Sequence, residues 1–225
     1  MKDLKFSLVS PAIRTENWIK VYNSILSKNS NFELIFAGPR EPNYNLPENL
    51  KFIKTNVKPA QCWEILYENS KGEYIMNIGD DLMFRTENPL DVLSEELESN
   101  KNNKYLLGLR YKFRGKEQTK DLTFKIDDNL KTDLLPLSPP LKKDLWHKYG
   151  RFDSRFICTL MEADFFLRMI NDGYKVINSS VIVTEDKEFE DIRKMSRDYM
   201  RIDRKLMLKL WTKNDNGNIA FSKKR

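Results

Sequence analysis

The sequence predicts an α/β protein with a mixed, mainly parallel sheet flanked by helices and a helical extension at its C-terminus. Three observations lead there. Short β-rich runs alternate with segments of helical periodicity through the first hundred residues, the pattern of strands joined by crossover helices. One run, Gly72-Glu-Tyr-Ile-Met-Asn-Ile-Gly-Asp-Asp81, reads as a buried strand that opens directly onto two adjacent carboxylates. The 225 residues, 40% hydrophobic and 32% charged, suffice for one sizeable core and are ordinary for a globular domain.

Each element has its own reason. Residues 4–10 form the first strand, which Pro11 stops. From Glu16 to Ser27, the apolar residues Trp18, Ile19, Tyr22, Ile25 and Leu26 recur at helical spacing. Phe32–Ala37 is a second strand closed by Gly38-Pro39, and Leu50–Lys54 a third, after a loop rich in Pro and Asn. Pro59–Asn69 is a helix whose proline suits a first turn, where the missing N–H would have no intrahelical partner anyway. The strand over residues 73–78 follows. Pro89–Ser99 is a helix, Tyr105–Phe113 a strand and Arg114-Gly-Lys-Glu-Gln a turn. Leu134–Leu137 reads as a short strand before Ser138-Pro-Pro140, and Asp144–Lys148 as a short helix. Glu162–Asn171 is an amphipathic helix ended by Gly173. Tyr174–Ile177 and Val181–Val183 are two short strands, Phe189–Trp211 is a long basic helix, and the last dozen residues are expected to be disordered. The organisation is then one domain over 1–186, a basic helix over 187–213 and a tail over 214–225.

Composition excludes several classes. The net charge is +6, with an excess at Arg193, Lys194, Arg197, Arg201, Arg204, Lys205 and Lys209. Such charge can attract a nucleoside diphosphate, an anionic glycan or a membrane surface, or can simply be a solvated helix face. The spacing of Met195, Tyr199, Ile202, Leu206 and Lys209 gives a partly apolar stripe, suited to packing on the domain's own core or to peripheral membrane contact. No nucleic-acid motif is present, so no nucleic acid is expected. No apolar run approaches a membrane span, the N-terminus has no signal-peptide core, and Cys62 and Cys158 are too few for a disulfide framework. A cytoplasmic setting is the simplest expectation. There is no Gly-x-Gly-x-x-Gly after the first strand and no Gly-x-x-x-x-Gly-Lys-Ser/Thr, which disfavours dinucleotide and phosphate-loop folds.

Asp80 and Asp81 carry most of the functional signal. The carboxyl end of a central strand is where open α/β sheets bind ligands. Two carboxylates there, with no His or Cys nearby, suit a hard divalent cation that also holds a phosphate. The plain alternative is a surface turn, since Gly-Asp-Asp is common in loops.

Four blocks, in order, resemble the GT-A-fold glycosyltransferases, especially the inverting group called family 2. They are the opening strand with Ser10-Pro11 and the helix ending Tyr22-Asn-Ser-Ile-Leu26; Asn69 to Asp81; Leu145-Trp-His-Lys-Tyr-Gly-Arg-Phe-Asp153; and Met161-Glu-Ala-Asp-Phe-Phe-Leu-Arg168 with Gly173-Tyr174. The resemblance covers roughly residues 5–185. It implies a GT-A-like (Rossmann-like) fold with a nucleotide-sugar-binding half over 1–100 and an acceptor-binding half over 101–186. It implies transfer from a UDP-, GDP- or dTDP-sugar to a hydroxyl of a glycan or glycoconjugate, as in polysaccharide biosynthesis. Asp81 would coordinate Mn²⁺ or Mg²⁺ at the donor diphosphate, and Asp80 would contact the ribose or donor sugar. Glu162 falls at the place of the general base, with Asp164 as the fallback. Pro11, Ala12 and Arg14 would lie near the nucleotide.

Departures from the family pattern matter. The usual acid pair is Met161-Glu162 here. Where relatives place a further metal ligand, often His, this chain has Thr184-Glu185-Asp186, so Glu185 or Asp186 is the expected oxygen ligand. Ala37-Gly38-Pro39-Arg40 replaces the Asp-Asp-Gly-Ser whose Asp contacts the base. Trp63 stands where relatives carry an Arg, leaving Lys58 and Arg14 as basic substitutes. Sugar-1-phosphate nucleotidyltransferases share a related fold but carry a Gly-rich basic loop that is missing here. A non-catalytic glycan- or partner-binding module on a decayed transferase is the alternative. The single histidine, His147, is read as structural or surface, and both cysteines as small apolar residues.

Overall fold

The computed structural model describes residues 4–101, 103–113, 116–117, 124–125, 131–132, 135–185, 190–213 and 219–221. Its strands are β1 (Phe6–Pro11), β2 (Phe32–Gly38), β3 (Leu50–Lys54), β4 (Tyr74–Asn77), β5 (Leu82–Phe84), β6 (Tyr105–Phe113), β7 (Lys116–Glu117), β8 (Phe124–Lys125), β9 (Lys131–Thr132), β10 (Leu141–Lys142), β11 (Lys175–Glu185), β12 (Trp211–Lys213) and β13 (Ile219–Phe221). The α-helices are α1 (Trp18–Ile25), α2 (Pro59–Asn69), α3 (Pro89–Ser99), α4 (Lys143–Lys148), α5 (Met161–Asn171) and α6 (Glu190–Leu210).

The main sheet has the order β10-β4-β1-β2-β3, parallel except for β10. A second sheet, β5-β11-β6-β7, pairs β11 parallel to β6 and antiparallel to β5. Together with the helices this makes the mixed α/β layering that the sequence predicts. β2 is buried at every position, as a central parallel strand covered on both faces must be. Side chains of β1 alternate between the two layers. Val9 packs with α2, α5 and the end of α6, whereas Phe6 and Leu8 pack with α1 and α3.

One buried charge ties the strands together. Glu33 of β2 is 2% exposed, and its carboxylate accepts from Ser7 Oγ at 2.7 Å, Lys51 Nζ at 2.6 Å and the Lys71 N–H at 2.7 Å. A carboxylate this deep is tolerable because its oxygens are matched by donors. The same turn requires Gly72. A Cβ there would stand 2.5 Å from the Ser7 nitrogen, so only glycine lets β4 start this close to β1.

Several elements differ from expectation. The first helix opens with a 3₁₀ turn at Thr15–Asn17 and is α-helical only from Trp18 to Ile25. Residues 135–137 of the expected Leu134–Leu137 strand carry no ladder, and the next strand is β10 at Leu141–Lys142. The two short strands after Gly173 are one strand, β11, with a register shift between Asn178 and Ile182. Glu96 of α3 holds that irregularity by accepting from Ser179 Oγ and from the Ser180 N–H at 2.8 Å. β5 was not foreseen. Part of the expected disordered tail, Ile219–Phe221, pairs with Trp211–Lys213, and the rest lies outside the described residues.

Helix α6 packs through Asp203, Met207 and Leu210, with Trp211 completing the contact, rather than through Tyr199 and Ile202, which are exposed. Among the described residues no helix is long and apolar enough to cross a membrane.

Candidate active site

The carboxyl ends of β1 and β4 form one wall of a cleft of about 320 Å³. Ser10, Pro11 and Arg14 come from the first strand and its loop, and Asn77 to Asp81 from the end of β4. The opposite wall carries Trp63 of α2, Cys158 from the loop before α5, and Met161 and Glu162 at the start of α5. Ser138, in the left-handed conformation at φ 47°, also faces it.

The two aspartates do different work. Asp80 is 3% exposed. Its Oδ2 accepts the backbone N–H groups of Ile13 and Arg14, both at 2.8 Å, and its Oδ1 receives the Arg14 guanidinium. It therefore braces the loop after β1 with both oxygens. Asp81 is the more accessible carboxylate, and Arg14 Nη1 lies 3.4 Å from its Oδ2. Burial pushes the Asp81 carboxyl up to about 6; Arg14 opposes that, and the charges of Asp80 and Glu185 add to it. Glu185 ends β11 directly opposite Leu82, which brings it beside Asp81.

On the facing wall, Glu162 sits in the first turn of α5. Leu160, the residue before that helix, is left-handed at φ 67°, a conformation costly for a branched side chain. Burial raises the Glu162 carboxyl from its ordinary 4.5 to about 7; its own backbone N–H lowers it and Asp203 raises it. Burial likewise pushes the Cys158 thiol up to about 11. A carboxyl that titrates near neutrality in a cleft is suited to take a proton from a hydroxyl.

The remaining sequence-selected residues fall as follows. Pro11 and Arg14 line the cleft, while Ala12 is buried beneath it with its N–H on the Ala37 carbonyl at 2.8 Å. Lys58 is exposed and precedes Pro59, itself on the cleft wall. Asp164 is fully buried, accepts the Trp211 indole N–H at 2.8 Å and pairs with Arg168 at 3.0 Å. It lines a different depression, with Asp153 and Arg155. Trp63 is 3% exposed and packs edge-on against Phe152, so it is chiefly core. His147 is exposed, beside Arg151. Cys62 is buried, whereas Cys158 is half-buried at the cleft. Asp186 lies outside the described residues.

Among the described residues no three His, Cys, Asp or Glu side chains form a ready-made cage. Asp81 and Glu185 nonetheless supply two crowded oxygen donors, and Mg²⁺-type sites characteristically use one or two carboxylates with substrate phosphates completing the shell. The residues fit such an ion.

These layers are those of a GT-A-like fold. Solved structures of S. aureus TarS share it. TarS 1-349 in complex with UDP superposes with a TM-score of 0.58 at 15% identity, covering 88% of this chain and 65% of that one. Another TarS structure gives 0.56 at 14% identity, covering 87% and 39%. The chain thus spans less than two thirds of these structures, and at such identities the likeness is one of fold. No protein-family model matches the sequence, and no curated protein matches it.

Proposed function

We propose that the protein is a glycosyltransferase that moves a sugar from a nucleotide-sugar donor to a hydroxyl, with inversion and with Glu162 as the base. The observation that carries this reading is the convergence, in one cleft, of Asp80 and Asp81 from the end of β4 with Glu162 from the start of α5. UDP is the first nucleotide to try, because a UDP complex exists for a protein of the same fold. Asp81 and Glu185 would hold Mn²⁺ or Mg²⁺, which when bound neutralises charge on the departing diphosphate. Asp80 keeps the loop after β1 in place, and Arg14 adds a fixed positive charge beside the phosphates. Glu162 accepts the acceptor's proton as the hydroxyl oxygen attacks the anomeric carbon.

Calorimetry with UDP, GDP, dTDP and CMP, each with and without Mn²⁺, tests this on wild type and Asp81→Asn. Metal-dependent binding of one nucleotide, lost in the variant, is expected. No binding under any condition would sink the reading and favour a non-catalytic module, for which Glu162→Gln would leave function unchanged.

A further inference from the structure

Helix α6, outside the region the sequence blocks cover, fastens the loop behind one wall of the cleft. Asp203, 1% exposed on its packed face, directs its carboxylate at the loop before α5. Oδ1 accepts the Ile157 N–H at 2.7 Å, and Oδ2 accepts the N–H groups of Cys158 at 2.9 Å and Thr159 at 2.8 Å. The Thr159 hydroxyl adds a fourth contact at 3.2 Å. Three successive backbone N–H groups converging on one anion form a nest, a concavity suited to bind a negative charge. From the other side, the Ile157 carbonyl accepts the Ala60 N–H of α2 at 3.0 Å. The loop is therefore clamped between α2 and α6. Its next residue is the left-handed Leu160, and Glu162 follows two positions later.

We propose that Asp203 is the positioning residue for Glu162: its carboxylate gathers the N–H groups of Ile157, Cys158 and Thr159 and so fixes the turn from which the base enters the cleft. The inference rests on the reading of Glu162 as base. Ordinary helix packing does not require this arrangement, since Met207 and Leu210 on the same face supply the apolar contact. A hydrophobic residue at 203 would pack, but it would leave three N–H groups of a strained loop without their acceptor. Asp203 also adds a negative charge near Glu162. The other groups around the base are Cys158 on the loop and Tyr67 on α2, with Glu64 acting on Tyr67 in turn.

The test uses the full chain with Asp203→Asn and Asp203→Ala, and Met207→Ala as a packing control. Amide hydrogen exchange at Ile157, Cys158 and Thr159 should quicken at least tenfold in both Asp203 variants and stay near wild type in Met207→Ala. The Glu162 carboxyl, followed by carbon NMR and assigned by its disappearance in Glu162→Gln, should titrate at lower pH in Asp203→Asn. In UDP release from a UDP-sugar, kcat should fall by up to about 100-fold with KM little changed, as expected for a misplaced catalytic group. If Asp203→Ala fails to fold, the Asn variant carries the test. Unchanged loop exchange or an unmoved Glu162 titration in Asp203→Asn would overturn the inference. Turnover that survives Glu162→Gln would instead overturn the base assignment while leaving the effect of Asp203 on the loop intact, so the two failures are separable.

Discussion

Replacing Glu162 with Gln should make the protein more stable above neutral pH while removing its proposed activity. The wild-type carboxyl is raised from 4.5 to about 7, chiefly by burial, so the fold favours its protonated form. Its stabilising protonation is fully present below 4.5 and is lost as pH rises through about 7. Above that, the folded chain must hold a poorly solvated carboxylate that the unfolded chain exposes to water. The difference between 4.5 and about 7, at about 1.4 kcal/mol per decade of acidity constant, is worth up to about 3 kcal/mol. Gln has similar volume and no charge, so Glu162→Gln should match wild type near pH 4.5 and exceed it by up to about 3 kcal/mol at pH 8.5. For a chain of this size that corresponds to a rise in Tm of roughly 6–12 °C. Urea and thermal unfolding at half-unit pH intervals would measure it. A difference that does not grow between pH 4.5 and 7.5 would refute the argument, because a plain packing effect has no reason to follow that window.

Three further outcomes are expected. Metal-dependent nucleotide affinity should weaken roughly tenfold per pH unit below about 6, as protons compete with the cation for Asp81; calorimetry at pH 5 and 7.5 would show it, and a flat profile would remove Asp81 from the ligand set. Asp80→Ala strips the acceptor from two N–H groups and from Arg14, and should lower stability by about 3 kcal/mol in urea unfolding. Asp164→Asn weakens the tie to Arg168 and Trp211 and should lower stability by about 2 kcal/mol, with turnover per folded molecule within about twofold of wild type. A 100-fold loss at unchanged stability would assign the base role to Asp164.

The sheet was legible wherever local chemistry and tertiary role agreed. Helices α2 and α3 begin at the prolines that mark them and run to the expected residues, because first-turn proline and apolar periodicity are local properties. β5 escaped notice because three residues directly after Asp81 are too few to show a period. β11 read as two strands because Asn178, Ser179 and Ser180 interrupt its apolar run, and only Glu96, far away in sequence, explains how one strand can contain them. At the site, the motif singles out Asp80 and Asp81 but does not tell the brace from the more accessible carboxylate, since that depends on which one meets the N–H groups after β1. Asp203 was invisible. It sits in a basic helix whose charge pattern suggests a solvated face, and its partners lie 44 to 46 residues upstream.

The clamp from α6 also orders events during synthesis. The loop that holds the proposed base leaves the ribosome before the carboxylate that fastens it, 46 residues later. Trp211 follows Asp164 by 47 residues. The strands of the main sheet are all made by Lys142, whereas this part of the cleft waits for Asp203. A chain ending before Asp203 lacks the clamp on the wall opposite the two aspartates. The proposed base thus gains its anchored turn only once α6 has been made and packed.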